Sequence, residues 1–144
     1  MAVARKTFFR KKTGESPNLD AALVRVDAQH RELLGKFEDF SAMLKRNTGR
    51  EALVPMLQDL CEYAQRHLSD EEDLMVRAGY REYAVHCAQH AYFVDQLTGF
   101  LNAVTAKDLA LDRKLFFFLK RWIADHIEGH DREMAAQIQQ RSMR

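Results

Sequence analysis

The sequence predicts an all-α protein: an antiparallel up-down-up-down four-helix bundle over residues 19–144, with an N-terminal basic arm over 1–18 and a short C-terminal helix. Three observations predict it. Apolar residues recur with a helical period and not a strand period. Only 2 Pro and 6 Gly interrupt 144 residues. The periodic stretches are similar in length and joined by short breaker segments, which makes consecutive helices antiparallel neighbours.

The first helix is expected from about Leu19 to Arg46, after the turn-like ESPN, with the stripe Val26, His30, Leu33, Leu34, Phe37 and Leu44. The polar NTG, Asn47 to Gly49, ends it. The second is expected from about Leu53 to Arg77, Pro55 being tolerated in a first turn. Its stripe is Leu53, Leu57, Leu60, Ala64, His67, Glu71 and Met75, and Gly79 closes it. The third is expected from about Arg81 to Ala106, with Tyr83, His86, His90, Phe93, Leu97, Leu101 and Val104 in line. The fourth opens near Asp108 or Asp112 and carries Leu111, Leu115, Phe118, Trp122 and His126 toward Gly129. REMAAQIQQ continues as the short terminal helix.

Composition narrows the function classes. Hydrophobic residues make up 47% and charged residues 30%, the balance of a soluble globular domain. A net charge of +1 gives no field that would recruit nucleic acid. The longest apolar run, LFFFL (Leu115 to Leu119), is too short to span a bilayer, and the N-terminus lacks the apolar stretch of a signal peptide. A cytoplasmic protein without membrane contact is therefore expected, and a compact monomer is the simplest assumption. Cys61 and Cys87 form no metal-binding or haem-attachment motif and read as small apolar fillers. The arm groups Arg5, Lys6, Arg10, Lys11 and Lys12 around Phe8 and Phe9, either as solvated charge pinned by its rings or as a patch for an acidic protein partner or lipid head groups.

The histidines carry the chemistry. His30, His67, His86, His90 and His126 all fall on the apolar stripes, and Glu71 follows His67 by one turn. Buried polar groups need partners. No comparable supply of inward acids, serines or asparagines exists to satisfy five imidazoles, whereas a metal would. Height in the bundle agrees. Residues equally far from a hairpin loop sit level, and His30 and His67 are centred on NTG. The His67/Glu71 and His86/His90 pairs are centred on Gly79, and the His86/His90 pair and the stretch near 128 on Lys107 and Asp108. Three hairpins thus bring the groups into one layer within about a turn, ~5 Å. Five imidazoles exceed one tetrahedral zinc. Two metals sharing carboxylate fit better, and iron accepts both imidazole and carboxylate. The chain has no Glu-x-x-His, so the ferritin-like pattern is excluded.

VDAQHREL (Val26 to Leu33), HLSDEEDLM (His67 to Met75), HCAQHAYF (His86 to Phe93) and WIADHIEGHD (Trp122 to Asp131) together resemble the hemerythrin family, specifically its single-domain bacterial members, the bacteriohemerythrins. The resemblance spans all four helices. It implies that His86, His90 and His126 bind one iron, that His30 and His67 bind the other, and that Glu71 and Asp131 bridge them together with an oxo or hydroxo group. Asp131 lies five residues after His126, about 140° round an ideal helix. The family's His-x-x-x-x-Asp spacing implies that the helix loosens there, near Gly129. A neutral imidazole ring cannot bridge two irons, so His130 is read as an outer or solvated group. The family usually has a tryptophan in its arm. Here that region reads TGESPNL, and the single tryptophan is Trp122.

Counting ligands, the first iron is full at six and the second has five, leaving one open position. The resemblance implies reversible O2 binding there, in a carrier, storage or delivery role and without enzymatic turnover. Leu33, Phe93, Phe118, Trp122 and Ile123 are candidates for a dry pocket around the site, although the run Phe116 to Phe118 cannot all face inward. The competing readings are an O2 or redox sensor acting through a protein partner and a di-iron enzyme acting on nitric oxide or peroxide.

Overall fold

The computed structural model describes residues 19–46, 49–105 and 111–142. The basic arm, the ESPN turn and most of the two loops NTG and 106–110 lie outside the described residues. The elements are α1 (Leu19–Lys45), α2 (Arg50–Ala78), α3 (Tyr83–Thr105), α4 (Leu111–Trp122), a π-helical segment (Ile123–Asp131) and α5 (Arg132–Ser142). Each of α1 to α4 packs on its neighbour in sequence, and α1 closes the ring by touching both α4 and α5. This is the expected all-α four-helix bundle. None of the described helices is long and apolar enough to cross a membrane.

The boundaries differ from expectation in informative ways. α2 begins at Arg50, because Gly49 is extended and its carbonyl accepts the N–H groups of Ala52 (3.1 Å) and Leu53 (3.2 Å). Pro55 therefore sits in the second turn. Its missing hydrogen bond is tolerated because the residue is exposed and its neighbours Glu51 and Ala52 are too. α3 starts two residues late, since Arg81 and Glu82 form the turn. Gly79 ends α2 as expected: φ 63° and ψ 40° put it in the left-handed region that an L side chain resists. Its N–H bonds to Val76 (3.2 Å) and that of Tyr80 reaches back to Met75 (3.0 Å), so Tyr80 folds over Met75 in one apolar cluster.

Two apolar clusters fill the bundle. The larger, at the α1–α2 loop end, holds Leu33, Phe40, Leu57, Leu60, Phe93, Leu97, Leu115 and Trp122 among others. The smaller, at the opposite end, joins Leu23, Val26, Leu74, Met75 and Tyr80 to Met134 and Ile138 of α5. Cys61 is buried in the first and Cys87 packs against the second, each as a filler. Across the α1–α2 hairpin, Gln29 reaches Asp70 (2.7 Å), the Tyr63 hydroxyl donates to Glu32 (2.9 Å) and Lys36 reaches Asp59 (2.6 Å). These pairs run as a ladder about the loop, in the register that sets His30 level with His67. In the Phe run, Phe116 stacks on Phe37, Phe117 is 65% exposed and Phe118 is half-buried at the core's edge.

The fourth column is continuous. The π segment leaves α4 and enters α5 with ordinary right-handed helical backbone at both ends, so α5 prolongs the same rod. Leu57, 1% exposed in the large cluster, should cost roughly 2–5 kcal/mol when truncated to Ala. Phe117→Ser should stay within about 0.5 kcal/mol. Urea unfolding of the metal-free protein checks both, and equal effects would refute the assigned core.

Candidate metal centre

The layer between the two apolar clusters contains Glu71, His67, His86, His90, His126 and Asp131, each at most 4% exposed, with His30 at its edge at 12% side-chain exposure. His30 and His67 project from successive helices, with ring centroids 4.6 Å apart. His86 and His90 stand one turn apart on α3, their centroids 4.7 Å apart, and His126 lies 4.7 Å from the first and 4.8 Å from the second. The π winding explains how Asp131 joins them. Its i to i+5 repeat stacks residues five apart on one face, where an α-helix would separate them. His126 Nε2 accordingly lies 3.0 Å from Asp131 Oδ1. The expected loosening is thus present, but it spans Ile123–Asp131 and not Gly129 alone. Space does not require a glycine at 129, since an added Cβ would meet nothing within 4 Å.

The two carboxylates divide their oxygens. Glu71 Oε1 faces His86 (2.7 Å), His90 (3.0 Å) and His126 (3.7 Å), while Oε2 faces His67 (3.2 Å) and His30 (3.4 Å). Asp131 Oδ1 faces His86 (2.9 Å) and His126 (3.0 Å), while Oδ2 faces His30 (2.9 Å). The donors fall into two groups, Glu71/His86/His90/His126/Asp131 and His30/His67/Glu71/Asp131, which share both acids. Within each group one atom per residue lies within 4.8 Å of all the others.

This arrangement suits metal ions. Donors about 2.1 Å from an ion and at right angles stand ~3.0 Å apart. Most of the donor distances match, including the 3.0 Å between the Nε2 atoms of His90 and His126. His30 Nε2, Glu71 Oε2 and both Asp131 oxygens are buried with no hydrogen-bond partner among the described residues. They converge without being aligned on one another, as atoms aimed at a common third centre do. Five imidazoles with two carboxylates form a donor set suited to iron.

Without metal, the acids and imidazoles of the layer shift one another. Burial pulls the His30 and His86 imidazoles down, but the adjoining Asp131 and Glu71 carboxylates outweigh it and push both up to about 9. His90 is raised against burial by Glu71 and Glu72. Burial favours the neutral acids too, yet the imidazoles of His126, His30, His67 and His86 hold Glu71 well below the usual carboxylate range. Those of His126, His30 and His86 lower Asp131.

Three groups escaped sequence reasoning. His67 Nδ1 meets Gln29 Oε1 at 2.9 Å, Gln29 Nε2 donates to Asp70 Oδ2 at 2.7 Å, and His90 Nδ1 meets Glu72 Oε1 at 3.1 Å. Gln29 and Glu72 each adjoin a stripe residue in sequence, about 100° off the stripe. That adjacency was the available signal. His130 is on the outer face, where Gln89 Nε2 donates to its Nε2 at 3.4 Å. Of the residues expected around a dry pocket, Phe118, Phe93 and Trp122 stack in series (5.9 and 3.7 Å between centroids). Trp122 in turn stacks on His126 at 4.3 Å. These aromatics border the three-histidine half. Leu33 instead lies one turn beyond His30, and Ile123 is buried in the large cluster. A groove of about 420 Å³ between α3 and the π segment passes outside Trp122, His126 and His130.

In the metal-free protein, His30 and His86 stabilise the fold fully below their ordinary value near 6.5, and this is lost as pH rises through about 9. Glu71 and Asp131 stabilise above their ordinary values of 4.5 and 3.8 and lose that contribution on acidification. The melting temperature of chelator-treated protein should therefore peak between about pH 4.5 and 6.5 and fall by several degrees toward pH 9.5. Metal affinity should rise over the same alkaline range as ligands lose protons. A flat or rising melting temperature above pH 6.5 would contradict the assigned pairing.

Residues 21–138 match the family model described as the hemerythrin HHE cation binding domain. The chain is 26% identical over 121 residues to a bacteriohemerythrin of Stenotrophomonas maltophilia, covering 84% of this chain and 78% of that protein. It is also 26% identical over 117 residues to a bacteriohemerythrin of Clostridium acetobutylicum, with 76% and 88% covered. A myohemerythrin of Theromyzon tessulatum is 26% identical over 107 residues, with 74% and 78% covered. No solved structure matches the chain. With four helices converging on a shared histidine and carboxylate layer and a family match over most of its length, the chain belongs to the hemerythrin family.

Proposed function

We propose that this protein binds O2 reversibly at a non-haem di-iron centre, as a carrier, store or delivery protein and not as an enzyme. The division of the Glu71 and Asp131 oxygens between two histidine groups carries this reading, because each acid then offers one oxygen to each of two metals. His86, His90 and His126 would hold one iron, His30 and His67 the other, and Glu71 and Asp131 would bridge them beside an oxo or hydroxo group. Two ferrous ions held there would supply an open coordination position and the electrons for reversible O2 binding.

The chain's own part is asymmetry and dryness. The three-histidine half offers five donors and the two-histidine half four, so an iron held by His30 and His67 would be the one with a free coordination position. Leu33, 2% exposed and one turn from His30, is the candidate apolar neighbour on that side. Phe93, Phe118, Trp122 and Ile123 pack as apolar neighbours of the layer's other flank. Excluding water keeps protons and nucleophiles from a bound diatomic ligand and so favours release over reaction. The buried Cys61 stays a thiol, since burial and the adjacent Glu62 push it up to about 11.

Anaerobic loading with ferrous iron should give two irons per chain. The optical spectrum should change on O2 exposure and revert under inert gas. His67→Ala and His86→Ala should each lose at least one of the two irons and the reversible change. One iron per chain, or a spectrum that never reverts, would overturn the reading.

A further inference from the structure

The outer nitrogens of the inward rings are not treated alike. His90 turns Nε2 toward Glu71 Oε1 at 3.0 Å and Nδ1 toward Glu72 Oε1 at 3.1 Å. A ring that ligates through Nε2 carries its proton on Nδ1, so the Nδ1–H donates and the Glu72 carboxylate accepts. His67 Nδ1 donates instead to the neutral Gln29 amide at 2.9 Å, and the nearest charge on that path is Asp70, one further hydrogen bond away. On these outer nitrogens a carboxylate meets a ring of the three-histidine half directly, whereas an amide stands between His67 and the nearest carboxylate on the two-histidine side. The His90 side chain is fully buried and that of Glu72 is 25% exposed, so water screens the contact only partly.

We propose that Glu72 is a positioning residue that fixes His90 and biases the three-histidine half toward its oxidised state. A carboxylate accepting from Nδ1–H locks the tautomer, makes the ring a stronger donor and favours the more positive metal. An iron held in that half would give one electron to the O2 of the proposed function or, in a titration, to the redox mediator, and no proton would leave, since the hydrogen stays on His90 Nδ1. The half without an open position then holds its oxidised state more firmly than the half with one. This rests on the di-iron reading of the proposed function.

The test compares full-length Glu72→Gln, Glu72→Asp and Asp70→Asn with the parent protein. Glu72→Gln keeps an acceptor but removes the charge. It should retain two irons and the parent's circular dichroism. Its preference for ferric over ferrous iron in one half should fall about tenfold, read in a mediated titration as one midpoint potential raised by about 59 mV. Asp70→Asn should move either potential by less than a third of that. Glu72→Asp, which keeps the charge, should stay within half of it. Competition titration of metal-free protein with zinc is the second readout, and Glu72→Gln should bind about tenfold more weakly. Unchanged potentials in Glu72→Gln, while the parent loads two irons, would overturn the inference and leave the function standing. Should the parent take up no iron, the di-iron reading fails instead, and unchanged zinc affinity in Glu72→Gln would overturn the inference separately. Should Glu72→Gln not fold, a Glu72→Asp protein with the full tenfold shift would show that charge at Glu72 is not what matters.

Discussion

Two carboxylates in the middle of a helical bundle are the constraint around which the rest is arranged. Glu71 and Asp131 are 0% and 2% exposed, in a layer capped above and below by apolar clusters. An unpaired ionised acid there would cost several kcal/mol or more. Five imidazoles remove that cost, as hydrogen-bond donors when protonated or as co-ligands when a metal neutralises the acids. This explains why the histidines occupy core positions that leucine would fill in an ordinary bundle. It also explains why the elements bearing them are locked in register by Gln29–Asp70 and Lys36–Asp59 across the first hairpin.

Departures from symmetry in the layer point the same way. One half has three histidines, an aromatic stack of Phe118, Phe93 and Trp122 reaching His126, and a carboxylate behind His90. The other has two histidines, Leu33 at its flank and an amide behind His67. Rigid aromatic packing belongs with a half that stays as it is. Fewer donors and an aliphatic neighbour are what the proposed O2 site would need on that half.

Much of this was legible in the chain because helical periodicity constrains faces strongly. His30, His67, Glu71, His86, His90 and His126 share stripes with leucines and phenylalanines, and the hairpin centres placed them level. Less was legible where local chemistry competes with periodicity. Pro55 drew the start of α2 three residues late, because an exposed second turn tolerates a proline that a buried one would not. Asp131 defies α-helical arithmetic, and a motif was needed to include it, since nothing in composition announces π winding. Gln29 and Glu72 lie off the stripes, on faces that periodicity assigns to solvent. The packing of Phe118, Phe93 and Trp122 against His126 depends on how α3 and the fourth rod meet, which no single-helix pattern contains.

The widened winding of residues 123–131 also sets the phase of the chain beyond it. α5 continues the same rod, so its buried face is inherited from the π segment. Each residue gained or lost in an α-helix turns the downstream chain by about 100°. Met134 and Ile138, at 0% and 1% exposure, meet Leu74 and Met75 only in the present phase. Rewinding the segment to α geometry would swing Asp131 off the layer and at once rotate the apolar face of α5 toward water. One irregular turn thus serves as a phase lock: it aims a carboxylate inward and seats the chain's last helix, so neither can drift without the other.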